Sequence, residues 1–104
     1  MARYDVYANP FPAERGQTPY VLDIQNDHLG PMNSRVVIPL RSPRGFGVPA
    51  RDLHPLIEIA GKPVVLDTTS IASVSVSLLR RPVARADSYR TEIASALDTL
   101  FGAY

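Results

Sequence analysis

Ten prolines and six glycines break this sequence into short pieces, and that punctuation argues against a bundle of helices. Short strands linked by turns are the architecture that tolerates it, because each proline removes a backbone donor that a helix interior would need. A chain of 104 residues has room for one modest hydrophobic core and little room for a deep cleft. A single domain over residues 1–104 is therefore expected.

Period-2 alternation marks the strands. Tyr4, Val6 and Ala8 alternate with Arg3, Asp5 and Tyr7, which predicts a strand over Arg3 to Ala8. After a break rich in Pro, Gly and Asn, Tyr20, Leu22 and Ile24 alternate with Val21, Asp23 and Gln25, predicting a second strand antiparallel to the first. Arg35-Val36-Val37-Ile38-Pro39-Leu40 is almost wholly apolar, as a strand covered on both faces would be. Pro39 cannot donate a ladder hydrogen bond, so an edge or a bulge is expected there. Leu56 to Ile59 and Val64 to Asp67 flank a short connection containing Gly61 and read as a hairpin. Ile71 to Leu78 alternates serine with apolar residues, predicting a half-buried strand with a serine face.

The final segment changes period. Tyr89, Ile93, Leu97 and Leu100 follow one another at spacings of four, four and three, forming one stripe on a helix. Asp87-Ser88 is placed to supply the N-cap oxygen, and Gly102 to take the left-handed conformation that ends a helix. So short a helix is marginal by itself and must dock on the sheet. The expected class is mostly β with a C-terminal helix, and the exposed helix end suggests a surface for gripping another protein.

Composition closes off several chemistries. There is no cysteine, which excludes disulfides, thiolate metal sites and a cysteine nucleophile. No apolar run approaches the roughly 20 residues that span a bilayer. Met1-Ala2-Arg3-Tyr4 runs straight into a strand-like pattern, so a cytoplasmic protein without membrane contact is expected. Ten of the eleven basic residues are arginine, a residue enriched at protein contacts, but ten acidic residues offset them. The arginines at 41, 44, 51, 80, 81, 85 and 90 would contact nucleic-acid phosphates if they gathered into one patch; Asp52, Asp87 and Glu92 weaken that reading.

No catalytic or cofactor motif is present. His28 beside Asp27 and His54 beside Asp52 are lone pairs without a third ligand in register, so both read as surface loop histidines. Gly45-Phe46-Gly47 lacks the third glycine and the following helix of a phosphate-binding loop. Ser73, Ser75, Ser77 and the Thr68-Thr69-Ser70 run have no neighbouring base, which leaves them turn and cross-strand hydrogen bonding. No cofactor, metal or catalytic residue is expected, and the chain does not read as an enzyme.

Several blocks, taken together and in order along nearly the whole chain, resemble the CcdB family of toxins from bacterial toxin–antitoxin pairs. They are Tyr4-Asp5-Val6-Tyr7, Leu22-Asp23-Ile24-Gln25-Asn26-Asp27, Arg35 to Leu40, Leu53 to Ile59, Thr68 to Val74, and the helix from Tyr89 to Phe101 with its short tail. The resemblance implies an SH3-like β-barrel of the CcdB and MazF type, forming a homodimer. It implies a poison of the A subunit of DNA gyrase that traps the cleaved gyrase–DNA complex and is neutralised by a CcdA-like antitoxin, whose disordered segment folds around it. Operator DNA would be met only indirectly, through the antitoxin complex. By position, the residues implied to touch gyrase are Phe101, Gly102, Ala103 and Tyr104, with Asp98 on the helix and His28 and Leu29 in the turn after the second strand.

The sequence departs from the best-studied family pattern, whose tail is Trp-Gly-Ile, by ending in Gly102-Ala103-Tyr104. His28 stands at a usually aliphatic position, Asp98 at an amide position, and Ser75 where a proline is common. Two alternatives stay open. One is a homologue that binds its antitoxin and co-represses the operon without poisoning gyrase. The other is a MazF- or Kid-like endoribonuclease, which would need Arg41 or Arg44 brought to Asp27 or His28.

Overall fold

The computed structural model describes residues 1–29 and 32–102. Seven strands form one curled sheet, a nearly closed barrel: β1 (Asp5–Ala8), β2 (Tyr20–Asp23), β3 (Ser34–Arg41), β4 (Leu56–Ile59), β5 (Lys62–Leu66), β6 (Ala72–Ser75) and β7 (Ala84–Arg85). Among the described residues a single α-helix, α1 (Arg90–Phe101), closes it. The order is β4-β5-β3-β2-β1-β7, with β6 joining β3, and every pairing is antiparallel. This is the mostly β class with a C-terminal helix that the periodicity predicts.

The long strand β3 organises the sheet. One edge pairs with β2; the other pairs with β6 over Ser34 to Val37 and then with β5 at Leu40 and Arg41. Pro39 lies between those two partners. Its carbonyl accepts the Asp67 N–H at 3.0 Å on that side, and successive residues of a strand alternate sides, so its missing N–H falls in the gap where β6 has left and β5 has begun. The expected edge thus exists only locally, within a central strand. Both faces of β3 are covered: Ile38 and Leu40 enter the main core with Val6, Leu22, Ile57, Leu66 and Ile93, while Val37 packs with Tyr7, Val21 and Leu79 on the reverse side.

Several boundaries differ from expectation; β2, for one, ends at Asp23 and not at Gln25. β1 begins at Asp5 because Ala2 to Asp5 form a turn, closed by the Asp5 N–H to the Ala2 carbonyl at 3.0 Å, with Tyr4 at φ +74°. The serine-faced strand ends at Ser75: the Ser75 Oγ accepts the Ser77 N–H at 3.3 Å, and Val76–Leu78 turn as a short 3-10 segment. Neither Asp87 nor Ser88 caps α1. Asp87–Tyr89 is a 3-10 turn, Tyr89 occupies the cap position without a side-chain bond, and the Asp87 carboxylate lies 3.4 Å from the Arg85 Nε instead. The hairpin is present, but its connection is shorter than the stretch from Ala60 to Pro63 expected: Ala60 (φ +52°) and Gly61 (φ +79°) make the turn, and Lys62 and Pro63 are already in β5, which ends at Leu66.

The helical stripe docks as the spacing requires. Ile93 is fully buried, Ala96 beside it is 1% exposed, and Tyr89 and Leu97 pack at the margin of the core. Burying Ile93 contributes roughly 1.5–3 kcal/mol at most. The Tyr89 hydroxyl also accepts the Glu58 N–H at 3.1 Å, tying the helix start to β4. Gly102 ends α1 at φ +68°, its N–H donating to the Asp98 carbonyl.

Candidate functional site

The residues singled out at the helix end and at the turn after β2 are all on the surface where they are described. Phe101, the last residue of α1, is 69% exposed; Leu29, in the turn Asp27–Leu29, is 56% exposed. Asp98, Gly102 and His28 are also exposed. Ala103 and Tyr104 lie outside the described residues. Local chemistry shapes the turn: the Asn26 Oδ1 accepts the His28 N–H at 2.9 Å, and the Asn26 carbonyl accepts the Leu29 N–H at 3.1 Å.

The N-terminal segment connects the turn with the helix. The Arg3 N–H donates to the Asp27 Oδ1 at 2.8 Å, and the next residue, Tyr4, lines a shallow groove of about 430 Å³ with Arg90, Ala94, Ser95 and Asp98 of α1. Tyr4 holds a left-handed backbone that a bulky side chain adopts rarely. Two hydrogen bonds fix it there: its N–H donates to the Asp23 carbonyl at 2.7 Å, and its carbonyl accepts the Ala86 N–H at 2.8 Å. The Arg3 guanidinium sits over the Tyr4 ring, 5.2 Å from its centroid. Tyr4 is half-buried and packs against the main core as well as lining this groove. Alternation alone places Tyr4 as an ordinary core-facing strand residue, and no sequence signal reveals the turn.

The charged groups elsewhere hold the fold. Asp23 and Arg35, both buried, meet through Nε–H to Oδ2 at 2.7 Å and Nη2–H to Oδ1 at 3.0 Å. Burial, then the charges of Asp5 and Asp23, push the Tyr7 phenol up to about 12. The Asp5 carboxylate in turn accepts from Arg85 at 2.6 Å and from the Ala2 N–H at 2.9 Å. This polar layer lies on the reverse face of β1–β3.

A second cluster gathers around Asp67. Its carboxylate accepts from the Arg41 Nε at 2.5 Å, the Ser70 hydroxyl at 2.8 Å and the Thr69 hydroxyl at 3.2 Å. Burial alone would raise its pKa, but the bonds from Arg41, Ser70 and Thr69 outweigh burial and hold it below the usual aspartate value. The His54 Nε2 lies 3.4 Å from the Asp67 Oδ1, while its Nδ1 accepts the Ala50 N–H at 2.8 Å and its ring meets the edge of Phe46 at 5.0 Å. His54 is therefore not a surface histidine: its side chain is 13% exposed, held by the Ala50 N–H and the Phe46 ring, with its Nε2 facing Asp67 without a hydrogen bond.

This arrangement separates Arg41 from Asp27, two of the groups a ribonuclease reading would unite. Arg41 is committed to Asp67, whereas Asp27 lies against Arg35, six residues back along β3, about 20 Å at strand rise. The arginines do not gather into one patch either. Arg41 and Arg85 are paired with carboxylates, while Arg80 and Arg81 line a groove with Arg15 that no residue of the loop between β3 and β4 enters. Among the described residues no three His, Cys, Asp or Glu side chains are placed to hold a metal ion, and no helix is long and apolar enough to cross a membrane. In comparison with known proteins, the family model described as CcdB protein matches residues 3–102, from the strained N-terminal turn to the glycine that ends α1.

Proposed function

The chain belongs to the CcdB family, a family of toxins from toxin–antitoxin pairs, and we propose that its target is the A subunit of DNA gyrase. The observation that supports this most directly is the extent of the family match, which takes in the whole of α1 and its terminating glycine along with the barrel. The proposed contact surface is Phe101, Gly102, Ala103 and Tyr104, with Asp98 on the helix and His28 and Leu29 in the turn. Exposed aromatic and aliphatic side chains at Phe101 and Leu29 suit an interface centre, where one well-buried aromatic contributes about 2 kcal/mol or more.

The mechanism needs no catalytic group on this chain. A homodimer acting in the cytoplasm would bind gyrase once the enzyme has cut DNA and hold that intermediate, so that gyrase performs the chemistry and the toxin prevents its completion. A CcdA-like antitoxin would reverse the grip by competing for the toxin, and the joint complex would carry the toxin to operator DNA.

One observation favours a second reading. The tail departs from the family pattern at the position of its large ring, as does the turn at His28, so a homologue that keeps antitoxin binding and co-repression but no longer poisons gyrase is the runner-up. Incubating the purified protein with gyrase and supercoiled plasmid separates the two. Linear DNA that forms only when gyrase is present supports poisoning; unchanged supercoiling with intact antitoxin binding supports the runner-up.

A further inference from the structure

The loop between β3 and β4 is tied to the rest of the fold at its two ends. Ser42 bonds the Gly16 and Gln17 carbonyls, and the Pro55 carbonyl accepts the Leu66 N–H at 3.0 Å. Between them, among the described residues, the hydrogen bonds of residues 43–54 stay within the segment. The Ala50 carbonyl accepts the Leu53 and His54 N–H groups at 2.9 and 2.8 Å, and the Ala50 N–H donates to the His54 Nδ1 at 2.8 Å. Phe46 sets its ring edge against the same imidazole, 5.0 Å between centroids. On the side of the ring away from the loop, the buried Nε2 faces the Asp67 Oδ1 at 3.4 Å without a hydrogen bond.

A ring nitrogen that accepts a hydrogen bond carries no proton, so the bond from Ala50 requires neutral His54 with its proton on Nε2. Protonation adds an N–H at Nδ1, and two donors then confront each other across 2.8 Å. The closure has to open; turning the ring over abandons the same bond. The charge gained is attracted to the opposite side, by Asp67. No other carboxylate pairs with His54 among the described residues, and Arg41 of β3 bonds the other Asp67 oxygen, Oδ2. Arg51 and Asp52, its neighbours on the loop, are exposed. Asp67 thus holds the imidazolium at the barrel while the Ala50 end is let go. We propose that His54 is a proton-operated latch on the loop between β3 and β4, closed when the ring is neutral and open when it is protonated. Histidine changes charge between about pH 5 and 8, so the exposed Arg44, Val48 and Arg51 are freed by mild acid while the barrel stays folded.

NMR on the full chain tests this. Lowering the pH from about 8 to about 5 should cut the exchange protection of the Ala50 amide, corrected for the intrinsic pH dependence of exchange, by about tenfold. The loss should follow the titration of the His54 ring protons, and the amides of β3 and β5 should keep their protection. His54→Asn keeps an acceptor that does not titrate and His54→Phe removes it. Both should therefore lose the pH response, the first protected and the second unprotected at each pH; if His54→Phe does not fold, the parent and His54→Asn decide. The proposal is overturned if the ring does not titrate in this range, or if Ala50 protection is constant while it does. It is equally overturned if a folded variant keeps the parent's pH response, or if β3 and β5 lose protection together with Ala50.

Discussion

Arg35 and Asp23 share two parallel N–H···O bonds, at 2.7 and 3.0 Å, with side chains 5% and 0% exposed. They sit on neighbouring strands of the reverse face, and the Asp23 Oδ1 also accepts the Gln25 N–H at 3.0 Å. Removing one partner of such a pair strands a charge away from water.

Arg35→Met is accordingly expected to destabilise the fold by about 3–5 kcal/mol, measured by urea denaturation. Adding Asp23→Leu should restore part of the loss, since no charge remains buried, but not all, because the Gln25 N–H then lacks its acceptor. A single variant within about 0.5 kcal/mol of the parent would show that the pair is not the constraint described.

The Asp67 carboxyl is held below the ordinary value of 3.8. It therefore contributes stability that is fully present above that pH and is lost as pH falls through the folded-state pKa. Asp67→Asn should cost about 2 kcal/mol at neutral pH. The gap between parent and variant should narrow once the pH drops below 3.8. A gap independent of pH across the acid range would refute the assignment.

Ala60 occupies a left-handed turn position that carries a steric penalty for any residue with a Cβ. Ala60→Asn creates the Asn-Gly pair preferred in this hairpin turn and should stabilise by about 1 kcal/mol, read as a higher urea midpoint at constant slope. Gly61→Ala, at φ +79°, should move the midpoint the other way.

Because α1 already ends at Gly102, deleting Ala103 and Tyr104 should leave the thermal midpoint where it is. Growth inhibition should disappear with the tail, and Phe101→Ala should weaken gyrase binding by about 2 kcal/mol without unfolding the protein, Phe101 being 69% exposed. Toxicity that survives the deletion would acquit the tail.

Much of this molecule is legible in its sequence. Period-2 alternation marks β1 and β2, an unbroken apolar run marks β3, a Gly-containing connection marks the β4–β5 hairpin, and the stripe at Ile93 and Leu97 identifies α1, because these patterns depend on local backbone geometry. Gly102 stops the helix for a reason internal to its own backbone. Phe101, Asp98, His28 and Leu29 are singled out by the family likeness, which lies in the order of blocks along the chain, and the fold leaves all four exposed.

Long-range pairing accounts for the effects that need two distant segments at once. Tyr4 leaves its strand and takes a strained turn because Asp23 and Ala86 bind its backbone from either side. His54 packs beside Asp67, thirteen residues away, and Arg41 bonds the same carboxylate. Arg15 joins Arg80 and Arg81 only because β1 and β7 pair. Composition and spacing state which groups a chain possesses; the folded arrangement fixes which of them are neutralised, and so which remain free to meet a partner.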